Sequence, residues 1–192
     1  MNLRPTVKYL HERYPQTDFP RMIFGEGSYG GLTVYIYDST TILNVGKFCS
    51  FAMDTKIMLG GEHRLDWATT YPFTDLCPEA EGIYGHPATR GNIEIGHDVW
   101  AGFGATILSG TQIGHGAVLG AQTVVSGIVP PYAIYAGNPG KVVRYRFPEG
   151  MIDSLLRLAW WNWPTERLTK ALPDLLSPNV GRFIARAEEG II

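Results

Sequence analysis

Of the five histidines in this 192-residue sequence, His63 has the position best suited to chemistry. Imidazole has an unperturbed pKa suited to taking a proton from a hydroxyl near neutral pH. A base also needs a partner on its other ring nitrogen, and the candidates are a backbone carbonyl, Glu62 and Asp66. His86 competes for the same role. His97 and His115 stand eighteen residues apart, and His11 reads as a surface residue. Tyr71 and Phe73, in TTYPF, either wall an acceptor pocket or pack structurally, and Tyr35, Tyr37 and Asp54 are further acceptor-side candidates. Lys141, Arg144 and Arg146 can pair with phosphate oxygens through charge-assisted hydrogen bonds, or form a basic surface strip.

These residues must be positioned by a repeat. Ile95, Ala101, Ile107, Ile113, Leu119 and Val125 recur every six residues, with Gly at 96, 102, 114 and 120. Four residues after each anchor come Val99, Ala105, Thr111, Ala117, Thr123 and Val129, all small or β-branched. A period of six fits neither an α-helix nor a heptad, but it is three strand alternations with a corner included. The expected fold is therefore all-β with helical additions: a left-handed parallel β-helix of triangular section with C-terminal α-helices. Eighteen residues make one rung, and rungs stack at the interstrand spacing of about 4.8 Å. His97 and His115 then lie one above the other.

Val45, Phe51 and Ile57 hold the same phase, and Thr33 and Ser39 hold it more weakly. The 38 residues from Ile57 to Ile95 are not a multiple of six, so a loop leaves the coil between them, and loops of that length are usually functional. His63 falls six after Ile57, in the slot where the chain departs. The expected organisation is an N-terminal helix and arm over 1–32, the β-helix over 33–146 with an ejected loop at 63–92, and a helical extension over 147–192. Leu3, Val7, Leu10 and Tyr14 suggest the first helix. Ile152, Leu155, Leu156, Ala159, Trp160 and Trp163 share one helical face, Thr165 can cap a second helix, and Ser177-Pro178 opens a third.

A formal net charge of −2, with 45% hydrophobic and 18% charged residues, offers nothing to nucleic acid or an anionic membrane. No stretch approaches the roughly 20 apolar residues that span a bilayer, so the cytoplasm is the expected compartment. Cys49 and Cys77 are too few for a disulfide framework and lack zinc-site spacing. Cys49 falls at a coil corner, where it fills space. Trp100 points outward and must be covered by a subunit, a helix or a ligand.

The strings GGEHRLDWATTYPF, IEIGHDVWAGFGATILSG, AGNPGKVVRYRF and WWNWP resemble the hexapeptide-repeat xenobiotic acetyltransferases, which include chloramphenicol and streptogramin acetyltransferases, and the similarity runs from about Val45 to Pro164. The resemblance implies a homotrimer with active sites between neighbouring prisms. It implies transfer of acetyl from acetyl-CoA, without a metal, to a hydroxyl of a small-molecule acceptor, and with Cys49 rejected as an acyl carrier the transfer is expected to be direct, in a ternary complex. The family's catalytic histidine falls on His63, and its CoA-channel positions fall on Trp100, Phe103, Ala121, Ser126 and Arg144. Two departures bear on the acceptor: the loop between Phe73 and Asn92 looks shorter than in antibiotic-modifying members, and Gly127 stands where related sugar acetyltransferases carry a Lys. A sugar or polysaccharide-precursor O- or N-acetyltransferase is the alternative. A metal-dependent hydratase like the γ-type carbonic anhydrases shares the fold and would use histidines such as His97 and His115, but the sequence offers no third at a matching spacing. A non-catalytic trimeric scaffold is the remaining reading.

Overall fold

The computed structural model describes residues 7–9, as backbone, and 21–192. The chain divides into two compact units, Met1–Arg144 and Tyr145–Ile192.

In the first unit the six-residue period becomes a three-sided parallel coil. One side is the sheet of β2 (Met22–Phe24), β4 (Leu43–Val45), β6 (Ile93–Ile95), β9 (Gln112–Ile113) and β12 (Ile128–Val129). The other two sides share a sheet, because β3 (Tyr29–Ile36) and β5 (Ser50–Leu59) each run around a corner. On the first of these, β5 pairs with β7 (Trp100–Ala101), followed by β10 (Val118–Leu119), β13 (Ala133–Gly137) and β14 (Gly140–Tyr145). On the second, β5 pairs with β8 (Thr106–Ile107) and then β11 (Val124–Val125).

Register puts like on like. Phe51, Ala101, Leu119 and Tyr135 stack inward on the first side, Ile57, Ile107 and Val125 on the second, and Val45, Ile95, Ile113 and Val129 on the third. All are buried, as are the corner residues Val99, Ala105, Thr111, Ala117 and Thr123. Cys49 fills such a corner, its Sγ donating to the Gly96 carbonyl at 3.1 Å, and burial pushes its thiol up to about 11.

One corner is a column of Gly25, Gly46, Gly96 and Gly114. A Cβ on Gly46 would lie 2.5 Å from the Gly96 oxygen, and one on Gly114 would lie 2.4 Å from the Pro131 nitrogen. Rung-to-rung approach, with no need for an unusual φ, sets the requirement here. His97 and His115 stack beside this column, ring centroids 4.9 Å apart and 12° from coplanar. The Lys47 N–H donates to His97 Nδ1 at 2.8 Å, and the His97 N–H to His115 Nδ1 at 2.9 Å.

Four expectations are corrected. Val7–Tyr9 is a strand, β1, that pairs with Leu32–Val34 and extends the coil at its open edge, so the N-terminal helix fails there; Leu3, Leu10, His11 and Tyr14 lie outside the described residues. The coil begins ahead of residue 33, and its inward residues at that rung are Leu32 and Val34, with Thr33 facing out. A register shift between Gly30 and Leu32 displaces the phase, and Gly30, at φ 148°, allows it. In the second unit, α2 (Glu149–Leu158) ends before the tryptophans, because Ala159 adopts a left-handed conformation and Trp160–Asn162 form a separate 3₁₀ turn.

The second unit continues with α3 (Thr165–Leu175) and α4 (Val180–Glu188). Thr165 lies inside α3 and does not cap it; Asn179 caps α4 by accepting from the Arg182 N–H. The buried Asp174 carboxylate ties the two helices, with Arg182 Nε at 2.9 Å and Arg186 Nε at 3.0 Å.

Candidate active site

The coil releases its chain after Leu59, through Gly60 and Gly61, both at positive φ. The stems of the ejected loop are closed by one antiparallel bridge: the Glu62 N–H donates to the Ala88 carbonyl at 3.1 Å, and the Ala88 N–H to the Glu62 carbonyl at 2.7 Å. The Glu62 side chain accepts from the buried Ser109 hydroxyl, which in turn accepts the Arg90 N–H at 3.1 Å. Ser109 stands two after Ile107, one rung from Leu59. The loop is thereby fastened to the coil at its foot, and His63 is the next residue.

His63 Nδ1 lies 2.6 Å from the Thr70 carbonyl oxygen. A carbonyl only accepts, so Nδ1 carries the hydrogen and Nε2 carries the lone pair of the neutral ring. Of the three candidate partners, it is a backbone carbonyl that meets the ring. Asp66 is bound to Arg64, whose guanidinium pulls its carboxyl down to about 2, and Glu62 is engaged at Ser109.

The structure gathers some predicted residues around His63 and separates others from it. The Tyr37 ring packs over Gly61 and stacks with Tyr35, centroids 6.4 Å apart. Tyr71 and Phe73 meet with centroids 4.8 Å apart in the segment leading into α1 (Phe73–Leu76), just past the Thr70 carbonyl. His86 lies against His63. Asp54, by contrast, is at the corner between the first and second sides, at φ 60°, on the same corner as Phe103 and Ala121. Trp100 faces outward on the first side between Ser50 and Val118, and it and Phe103 are 54% and 50% exposed. Ser126 follows Val125 at the corner where His63 departs, two rungs along from Ile57. Lys141 and Arg144 lie exposed on β14, at the end strand of the first side.

Sequence reasoning did not single out the Thr70 carbonyl, the Glu62–Ser109 fastening or the His86 contact. The second was within reach, because Ser109 sits at a calculable rung height; the others depend on how the loop folds back. Among the described residues, no group of three or more His, Cys, Asp or Glu is placed to hold a metal, and the Nδ1 atoms of His97 and His115 are taken by backbone N–H groups.

Residues 92–127 match the bacterial transferase hexapeptide family (six repeats). A chloramphenicol acetyltransferase of Klebsiella aerogenes is 40% identical over 147 residues, covering 74% of this chain and 70% of that protein. A probable macrolide acetyltransferase of Lysinibacillus sphaericus is 41% identical over 143 residues, covering 70% of this chain and 77% of that protein. Among solved structures, a maltose O-acetyltransferase from Clostridium difficile superposes with a TM-score of 0.51 at 23% identity, covering 67% of this chain and 61% of that one, a likeness of fold. With the repeat, the loop histidine and relatives of that identity and coverage together, the chain belongs to the hexapeptide-repeat xenobiotic acetyltransferases.

Proposed function

We propose that the protein transfers an acetyl group from acetyl-CoA to a hydroxyl of a small, antibiotic-like acceptor, with His63 as general base. The observation that carries this reading is the 2.6 Å contact between His63 Nδ1 and the Thr70 carbonyl, which leaves Nε2 to take a proton. As the acceptor oxygen attacks the thioester carbon, its proton passes to Nε2. The C–S bond then breaks, and the imidazolium returns the proton to the departing CoA sulfur. Cys49, buried and with its thiol raised to about 11, is unsuited to an acyl-enzyme route, so transfer is direct.

Trp100, Phe103, Ala121 and Ser126 form the proposed CoA track, with Lys141 and Arg144 for its phosphates. Trp100 and Phe103 are large apolar groups held outward on a rigid surface, which suits them to pantetheine and adenine. Tyr37, Tyr71 and Phe73 border the acceptor. Asp54 shares a corner with Phe103, so its proposed contact with acceptor is made across a subunit boundary. That arrangement requires a homotrimer with sites between neighbours, and the exposed Leu65 and Tyr84, at 83% and 89%, favour it as surface for a partner copy. The two free thiols suit the cytoplasm. Among the described residues, no helix is long and apolar enough to cross a membrane.

The test is acetyl-CoA-dependent acetylation of chloramphenicol, a macrolide, a streptogramin and a panel of sugars, followed by CoA thiol release. Turnover of an antibiotic hydroxyl supports the reading, turnover of sugars alone moves the acceptor to the alternative class, and none with any of them overturns it. Sedimentation giving a stable monomer would remove the shared site.

A further inference from the structure

The ejected loop exposes Ile83 and Tyr84 and, two residues later, buries an imidazole. The His86 side chain is 5% exposed, and neither of its ring nitrogens has a hydrogen-bond partner. Burial by hydrophobicity would reverse this choice, taking the tyrosine or isoleucine inside and leaving the histidine in water. Something other than burial holds His86 where it is. Its ring meets His63 edge to face, centroids 4.7 Å apart and planes 89° apart, and its Nδ1 lies 3.9 Å from a carboxylate oxygen of Asp75 on α1. The Glu62–Ala88 bridge brings the two stems together so that this contact forms.

A ring held by the single hydrogen bond from Nδ1 to the Thr70 carbonyl can swing about its Cβ–Cγ bond, breaking that hydrogen bond and carrying Nε2 out of line. A perpendicular ring packed against it stops the swing. We propose that His86 is a positioning residue for His63, packing against its ring so that Nδ1 stays on the Thr70 carbonyl and the tautomer is kept. Asp75, near the middle of the loop, places a carboxylate beside His86 without a hydrogen bond to it. The role rests on His63 being the base and belongs to the ring shape of His86, so an aromatic ring without nitrogens can fill it.

The test uses the full chain and the variants His86→Ala, His86→Phe and His63→Ala. Nitrogen-15 NMR of the histidine side chains near pH 8 reads the His63 tautomer directly, the signal being assigned by its loss in His63→Ala. The Nδ1–H form is expected to dominate in the parent and in His86→Phe, and to give way to averaged tautomers in His86→Ala. With chloramphenicol and acetyl-CoA, kcat is expected to fall roughly 10- to 100-fold in His86→Ala, as for a misaimed catalytic group, with the KM for acetyl-CoA unchanged and His86→Phe keeping most of the turnover. Should His86→Ala not fold, His86→Gln, which keeps the bulk without the ring, is measured in its place. An unchanged His63 signal in the ringless variant overturns the proposal whatever the acceptor, and so does loss of turnover in His86→Phe as deep as in His63→Ala. A His86-dependent tautomer together with full turnover by His63→Ala would instead sink the base and leave the packing role standing.

Discussion

In the coil, each side chain's surroundings are set by the residues one rung above and below, and Ile57, Ile107 and Val125 are buried by being stacked. In the ejected loop, little is stacked: one two-bond bridge closes its stems, one carbonyl holds His63, and Leu65, Tyr71, Phe73, Ile83 and Tyr84 remain open to solvent. The first region is held by repeated register and the second by a few particular contacts. With the proposed base in the second, substitutions in the two stretches should affect stability and turnover separately.

The sharpest separation is expected at His63. His63→Ala should lower kcat by about 10²–10⁴, the range for a lost general base, while unfolding free energy stays within about 0.5 kcal/mol of the parent. Steady-state kinetics beside a urea melt checks both, and a large stability loss would mean the loop is part of the coil's support. Ile107→Ala should do the converse, lowering stability by about 2–5 kcal/mol through the cavity left between Ile57 and Val125, with kcat preserved at temperatures where the protein stays folded. Gly46→Ala should cost about 1–3 kcal/mol, because its Cβ would force the Gly96 rung away; a neutral result would show that the corner relaxes.

The smallest effect should come from the histidine stack. Burial, and for His97 also His115 and Lys47, holds both imidazoles below their ordinary 6.5. A depressed folded pKa means the unfolded chain takes up the protons first. The contribution is thus complete above about pH 6.5 and is lost as pH falls through the folded values. Urea midpoints should drop from pH 8 to pH 5 by more than in a His97→Asn/His115→Asn variant. Equal slopes would assign the acid sensitivity elsewhere.

This difference between regions also decides what could be read before the structure. The anchors from Ile95 to Val125 announced themselves because a stacked coil repeats its own environment, and the presence of an ejected loop followed from a break in phase, although the chain leaves after Leu59 and not at His63. Thr33 misled because a register shift at Gly30 leaves no mark on composition. The tryptophans after Leu158 continued a helical spacing that the left-handed turn at Ala159 interrupts. The partner of His63 was left among a backbone carbonyl, Glu62 and Asp66, since only the folding of the loop decides which of them reaches Nδ1. His86 was weighed as a rival to His63, because spacing carries no information about two rings meeting across the stems of a loop.

The rung spacing has one more consequence. Positions along the prism axis are available only in steps of about 4.8 Å, so the coil is a graduated rule. His63 departs at the graduation of Ile57, Thr106 and Ile107 stand at the next, and Val125, followed by Ser126, at the one after. Inserting or deleting a full rung of eighteen residues would move the upper marks by one whole step and keep the inward stacks, whereas extra chain that is not a whole rung must leave the coil as a loop, as it does between Ile57 and Ile107, or break register. The reach required of a long donor molecule is therefore set in whole numbers, and the loop is left to adjust whatever fraction of a step remains.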